Sequence, residues 1–218
     1  KALVTAGPTR EYIDPVRYIS NESSGKQGYE IALALDRLGV KTTLIIGPSN
    51  LTTQKNIKTK KIVTANELLV ETKKSLPVDV AVCAAAVSDF KPVVQNKNKL
   101  KKNQNNIKHI KIGKNKDVLE YLGKNNEHRP KLVVGFSAET ENINKNSITK
   151  MKKKNCDLII ANNVSKKGIG FNSDYNEVSI IDNNGNIKII KKNKKSYIAN
   201  KIAEVILDKL LVDDRSFN

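Results

Sequence analysis

The apolar segment Leu3–Ala6 breaks at Gly7-Pro8, and after a polar stretch the chain reaches Ser23-Ser24-Gly25 at the head of a helical pattern. That order (strand, Gly/Ser loop, helix) constrains the fold more than any other feature. Unpaired backbone N–H groups at such a helix start attract anions, and glycine lets the main chain approach a phosphate with no Cβ in between. An ordinary strand-to-helix turn shares this local look. Leu3–Gly28 differs from one in its length and in carrying Arg10, Asp14, Arg17 and Asn21.

The rest of the chain repeats the alternation. Lys41–Ile46, Ile57–Val63, Val78–Ala86, Leu132–Phe136 and Leu158–Ala161 read as strands. Val78–Ala86 is apolar almost throughout, as a strand covered on both faces is. Between them, Ile31, Leu35 and Leu38 share a helical face that stops at Gly39. Thr64 and Glu67 form a capping box ahead of Leu68 and Leu69. Asn115 is placed to cap a short helix carrying Val118, Leu119 and Leu122, and a Lys-rich helix runs through Lys150 and Lys154. Ile107–Ile112 alternates as a strand, Glu177–Ile190 reads as a hairpin turning at Asn184-Gly185, and Ile198, Ile202, Ile206 and Leu210 stripe a last helix. The pattern predicts an α/β protein: a Rossmann-like, three-layer, mainly parallel sheet with an antiparallel hairpin near the C-terminus, in one domain over residues 1–218.

Composition narrows the function classes. A net charge of +17 over 218 residues raises nucleic-acid binding as a reading. The lysines are spread through every segment, without the interleaved aromatics that stacking on single strands uses, so nucleic acid is not the expected partner. No apolar run is long enough to span a bilayer. Cys83 and Cys156 lie far apart in apolar surroundings, which suits reduced thiols and a cytoplasmic setting better than a disulfide. His109 and His128 have no metal-ligand spacing. The chain opens in a strand without Met, as if cut from something longer.

In a doubly wound sheet, ligands bind outside the carboxyl ends of the strands. Those ends fall here at Gly7, Gly47-Pro48, Ala84–Asp89, Phe136–Glu139 and Ala161–Asn163, most followed at once by polar residues. The GxGxxG fingerprint is absent, because Gly7 precedes Pro8-Thr9-Arg10, and Gly25-Lys26-Gln27 is no P-loop. Between Asp89 and Lys108 the chain becomes a Lys/Asn-rich loop. Such a loop can fold over a polyphosphate and neutralise charge on its leaving group.

AGPTREYIDPVRYISNESSGKQG, AAAVSDFKP, KLKK, GFSAETE and CDLIIANNVS occur in this order along the chain. Together they resemble phosphopantothenoylcysteine synthetase over essentially the whole length. In bacteria that activity is usually the C-terminal half of a protein whose other half is a flavin-dependent decarboxylase; this fragment carries no flavin in that reading. The resemblance implies ligation of 4′-phosphopantothenate to L-cysteine on the way to coenzyme A, using CTP and Mg²⁺. An acyl-cytidylate and pyrophosphate would form before the cysteine amine attacks. Positioning and charge stabilisation dominate such chemistry, so no His-based triad is called for.

By matching positions, Asn21 would hold the acyl-nucleotide and Arg17 would grip the substrate phosphate from a neighbouring protomer, making a homodimer. Ser23, Ser24, Gly25 and Gly28 would cradle nucleotide phosphates, while Ala85, Ala86 and Asp89 would line the substrate pocket. Lys99, heading Lys99-Leu100-Lys101-Lys102, would reach the triphosphate as a catalytic group. Cys83, Ala84, Ala85 and Asp89 would contact the nucleotide, as would Phe136, Lys150 and Lys154. Lys116, Asp117, Val118 and Leu119 match less closely, because Asn115-Lys116-Asp117 replaces the family's Asn-Pro-Asp and frees the backbone there. The metal ligands are not assigned. The alternatives are an ATP-dependent version of the same ligase, an NAD(P)-binding oxidoreductase (against which the missing GxGxxG counts) and a basic nucleic-acid module.

Overall fold

The computed structural model describes residues 1–101, 109–124, 127–165, 170 and 173–215. Six strands form a parallel array: β1 (Ala2–Ala6), β4 (Thr42–Ile46), β5 (Lys58–Lys61), β6 (Val80–Cys83), β9 (Leu132–Glu139) and β10 (Leu158–Asn163). The hairpin β11 (Tyr175–Asp182) and β12 (Ile187–Lys194) extends that array antiparallel. The sheet order is β5-β4-β1-β6-β9-β10-β11-β12. Counting only the parallel strands, this is the 3-2-1-4-5-6 order of the Rossmann fold, with its switch point between β1 and β6.

Side-chain alternation on β1 divides the core between the two faces. Ala2, Val4 and Ala6 face α1 (Lys26–Arg37) and α5 (Lys195–Arg215), while Leu3 belongs to the opposite layer with α2 (Ala65–Ser75), α3 (Val118–Lys124) and α4 (Ile143–Lys154). On the first face Ile31 and Leu35 of α1 pack with Ile198, Ile202 and Ile206 of α5 in the same buried cluster. Each such side chain contributes about 1.5–3 kcal/mol relative to remaining in water. The expected three layers are therefore present.

Several local expectations change. Leu38 is 48% exposed, because it is the C-cap of α1 and the chain turns through Gly39 at φ +81. The strand expected over 107–112 is instead β8, Ile112–Lys114; residues 102–108, with Lys102 and Lys108, lie outside the described residues. β8 pairs with β7 (Phe90–Pro92), and β2 (Arg10–Tyr12) pairs with β3 (Tyr18–Ser20), giving two small antiparallel ribbons within stretches expected to be loop. The turn of the last hairpin is also longer than two residues. Asp182 N–H bonds the Asn186 carbonyl and Gly185 N–H the Asp182 carbonyl, with Gly185 at φ +85. This is the three-residue loop closed by a left-handed glycine.

Candidate active site

The opening motif places its loop by close main-chain packing. An added Cβ on Gly28 would lie 2.8 Å from the Ala6 Cβ and 2.9 Å from the Thr5 carbonyl, so α1 can sit this near β1 only with glycine there. Gly25 takes φ +76 as the N-cap of α1 and provides no side-chain cap. The Ser23 hydroxyl accepts from Gly25 N–H at 3.2 Å and the Ser24 hydroxyl from Lys26 N–H at 3.4 Å. The N-cap residue itself thus contributes no side-chain cap, and the serine hydroxyls take up only the Gly25 and Lys26 amides at the head of α1. Across the switch point β1 and β6 stay paired past their ends: Ala84 N–H donates to the Thr5 carbonyl, Ala86 N–H to that of Gly7, and Pro8 bridges Ala86.

Two cavities flank this edge. The first, about 630 Å³, has Ser23, Ser24, Gly25 and Gly28 on one side and Ala84, Ala85 and Ala86 on another. Asn21 also lines it, its amide donating to the Val87 carbonyl at 2.9 Å. The second, about 770 Å³, is walled by Cys83, by Lys116, Asp117, Val118 and Leu119, and by Lys154. Ala85, Val87, Asp89, Phe136 and Lys150 line both. The stretch Lys116–Leu119 therefore does stand in a cavity wall, despite the altered motif.

Cation placement in the second cavity is specific. Lys150 Nζ donates to the Phe136 carbonyl at 2.8 Å, which aims it at the partition between the cavities. Lys154 bridges α4 to α3 with Nζ 2.8 Å from both Asp117 and Glu120, and its side chain is only 14% exposed. Burial alone would lower the Lys154 pKa, yet its two carboxylate partners raise it. Asp117 also caps α3, its Oδ1 accepting from Glu120 N–H at 2.8 Å. The expected cap, Asn115, instead accepts from Lys116 N–H and donates to the Ser88 carbonyl. Both cysteines are free thiols, with Cys83 half-buried in the cavity wall and Cys156 pushed up to about 11, chiefly by burial.

Arg17 and Lys99 are not brought into either wall. Asp14, fully buried, accepts from Arg17 Nε at 3.0 Å and Nη2 at 2.5 Å, and from Leu100 N–H at 3.1 Å. Arg17 Nη2 returns a bond to the Leu100 carbonyl at 2.8 Å. The Arg17 guanidinium holds the Asp14 carboxyl well below the usual carboxylate range. Lys99, exposed, is thereby fixed next to Arg17 through its neighbour rather than through its own side chain.

Some cavity residues carried no signal in the sequence. Lys195 is 6% exposed and lines the first cavity, but a lysine in so Lys-rich a chain does not stand out. Gln27 and Asn176 join in the same wall, Asn176 Nδ2 donating to Gln27 Oε1 at 3.2 Å. Asn162 follows the apolar run of β10, and its buried Oδ1 has no hydrogen-bond partner among the described residues. Its place in the Ala161–Asn163 strand end is the one sign the sequence gives of it, and the structure puts it in the wall of the first cavity.

A Gly/Ser helix start at the switch point of a 3-2-1-4-5-6 sheet, opening on paired cavities, defines a Rossmann-like α/β domain with its cleft at the crossover. Comparison with known proteins gives the family. The sequence profile described as "DNA/pantothenate metabolism flavoprotein C-terminal domain" matches residues 1–210. The chain is 42% identical over 204 residues to the "Coenzyme A biosynthesis bifunctional protein CoaBC" of Haemophilus influenzae, covering 93% of this chain and 50% of that protein. It is 38% identical over 212 residues to the protein of the same name from Escherichia coli K12, covering 96% and 51%. The crystal structure of the C-terminal domain of such a CoaBC protein superposes with a TM-score of 0.78 at 30% identity, over 98% of this chain and 95% of that one. This chain belongs to that C-terminal domain family of pantothenate-metabolism proteins. It spans about half the length of the curated relatives it matches.

Proposed function

We propose that this chain is a phosphopantothenate–cysteine ligase of coenzyme A biosynthesis, activating the acid with CTP. The observation that carries the reading is the pair of cavities meeting at a shared wall of Ala85, Asp89, Phe136 and Lys150. A two-substrate activation needs two binding spaces and one place where they touch. The names of the relatives, which cite coenzyme A biosynthesis, and the family's link to pantothenate support the pathway.

In this reading a carboxylate oxygen of 4′-phosphopantothenate attacks the α-phosphorus of CTP and pyrophosphate leaves. The cysteine amine then attacks the acyl carbon, CMP departs and the amine proton is lost to solvent. Asn21 donates to the acyl oxygen in exchange for its bond to the Val87 carbonyl. The Ser23–Gly25 loop and the start of α1 receive phosphates, Lys150 faces the nucleotide from the partition, and Asp89 accepts from a substrate hydroxyl or ribose. Lys99 is the residue this reading assigns to neutralising the leaving pyrophosphate.

Among the described residues no group of three or more His, Cys, Asp or Glu could hold a metal. Glu22 and Asp89, the carboxylates lining the first cavity, suit Mg²⁺ that arrives on nucleotide phosphates and takes one protein carboxylate. That ion would supply charge neutralisation at the transferred phosphates.

Arg17 stands outside both walls and is half-exposed, which favours a homodimer in which it completes the partner's site. The double length and bifunctional naming of the relatives favour a decarboxylase half in the same polypeptide. No helix among the described residues is long and apolar enough to cross a membrane; the cytoplasmic setting of the enzyme is part of the ligase reading.

The test is pyrophosphate release from CTP with Mg²⁺, omitting 4′-phosphopantothenate and cysteine in turn. Release is expected to require phosphopantothenate, and turnover to require cysteine; Asn21→Ala should accumulate the acyl-cytidylate. Release with ATP but not CTP would overturn the nucleotide assignment, and silence with both would overturn the ligase.

A further inference from the structure

Asp89 lines both cavities, and the segment that carries it, residues 86–89, lies between β6 and β7. Its carbonyls are gripped one by one. That of Ala86 accepts from Thr9 N–H at 3.3 Å, and that of Val87 from Asn21 Nδ2 at 2.9 Å. The Ser88 carbonyl accepts from Asn115 Nδ2 at 3.1 Å, and the Asp89 carbonyl from Asn115 N–H at 2.8 Å. The opening motif thus holds the first two and Asn115 the last two.

Asn115 works at both ends of its amide. Its main-chain bond carries the β7–β8 ladder one residue past the Phe90–Lys114 pair, and Nδ2 reaches one carbonyl further. Oδ1 accepts from Lys116 N–H at 3.0 Å, where the Lys116–Leu119 wall of the second cavity begins. An amide turned the other way would set oxygen against the Ser88 carbonyl and NH2 against Lys116 N–H, so the two partners fix its orientation. One side chain therefore fastens the Asp89 segment to the wall of the second cavity.

In the ligase reading Asn21 gives up the Val87 carbonyl when it turns to the acyl oxygen. Ser88 N–H still donates to Thr9 Oγ1 at 3.1 Å, which steadies the side of the segment near β1. At the Asp89 end both carbonyl bonds come from Asn115. We propose that Asn115 is a positioning residue for Asp89: it holds that carboxylate on the wall common to both cavities and acts through it rather than on a ligand directly. This rests on the ligase reading, in which Asp89 accepts from a hydroxyl of one of the two phosphorylated substrates. A misplacement of about 1 Å can cost about a hundredfold in such a site, so the anchor matters as much as the carboxylate.

Asn115→Ser is the probe. It adds no charge and keeps a hydroxyl able to serve Lys116 N–H, but it cannot reach the Ser88 carbonyl. Calorimetric titrations of the intact chain with 4′-phosphopantothenate and with CTP and Mg²⁺ compare wild type, Asn115→Ser, Asp89→Ala and the double variant. Asp89→Ala should weaken one ligand about tenfold, and Asn115→Ser should weaken that same ligand about fivefold. The double variant should bind no more weakly than Asp89→Ala, because two residues acting as a unit do not add. A residue that merely stabilised the fold would give losses that multiply, and multiplied losses overturn the proposal. Wild-type affinities in Asn115→Ser or in Asp89→Ala overturn it too, as does a loss confined to the ligand that Asp89→Ala leaves alone. Should Asn115→Ser not fold, hydrogen exchange in wild type decides. By reciprocity a ligand held by Asp89 must slow exchange of the Asn115 amide, and unchanged exchange overturns the proposal. Wild-type protein that binds neither substrate overturns the ligase reading and the proposal with it, a result distinct from all of these.

Discussion

The Arg17 guanidinium donates to the Leu100 carbonyl at 2.8 Å while the Leu100 amide donates to Asp14, the same carboxylate that grips Arg17. Two loops distant in sequence are thus one assembly. Arg17 and Lys99, expected to act on different phosphates, share a single anchor.

Replacing that anchor should disable both. Asp14→Asn keeps the shape but removes the charge that Arg17 pairs with. We expect kcat/KM for ligation to fall at least tenfold, as charge-assisted bonds are the strong ones. Hydrogen exchange of the Leu100 amide should rise in parallel, and unchanged protection there would refute the coupling.

Gly47→Ala probes the loop from beneath. A Cβ at Gly47 would sit 1.8 Å from the Pro8 carbonyl oxygen, so the chain after β1 must move. Overpacking of this kind costs about 1–3 kcal/mol, occasionally more, and this contact is with backbone, which cannot rotate away. A denaturant midpoint matching wild type would show that the loop shifts at no cost.

Lys150 and Lys154 should separate in behaviour. Lys150→Met is expected to weaken CTP binding about tenfold with little change in melting temperature, because its bond is to a carbonyl beside the cavities. Lys154→Met removes the partner of Asp117 and Glu120 and should lower the melting temperature as well. Paired titration and melting curves decide between this and equivalent surface lysines.

Acid stability should report on Glu120, which pairs first within α3 and then across to α4. Lys124 first and Lys154 next hold Glu120 down to about 2, from a model-peptide value of 4.5. A carboxylate depressed on folding contributes stability above pH 4.5 that disappears as pH falls towards 2. Glu120→Gln should therefore flatten the melting-temperature profile between pH 4.5 and 2.5. An undiminished slope would place the acid sensitivity elsewhere.

Removing the cap of α2 is a local control. Thr64→Ala loses the 3.2 Å bond from Glu67 N–H and should cost about 1 kcal/mol with activity retained.

Where long-range packing and short-range chemistry agreed, the fold was legible from residues alone. Thr64 and Glu67 form the expected cap, except that Glu67 reaches Val63 N–H, one residue before the expected amide. The apolar run at Val80–Cys83 is a central strand, and the Ile198–Ile202–Ile206 stripe does face α1. Three-residue strands such as Arg10–Tyr12 and Phe90–Pro92 are too short to show a period, so tertiary contacts alone reveal them. Asn115 and Asp117 are both competent caps, and packing of α3 on Lys154 chose Asp117. For the site, the opening motif announced the Ser23–Gly28 wall, and the resemblance added Lys116–Leu119 and Lys150. Lys195 was invisible because burial, not residue type, sets it apart from its many counterparts.

The wall common to both cavities has a further consequence. Ala85, Phe136 and Lys150 belong to both walls at once. In the ligase reading an activated acid formed at that common wall already stands where the amine's cavity begins, so the two half-reactions share one threshold and neither requires the intermediate to leave the protein.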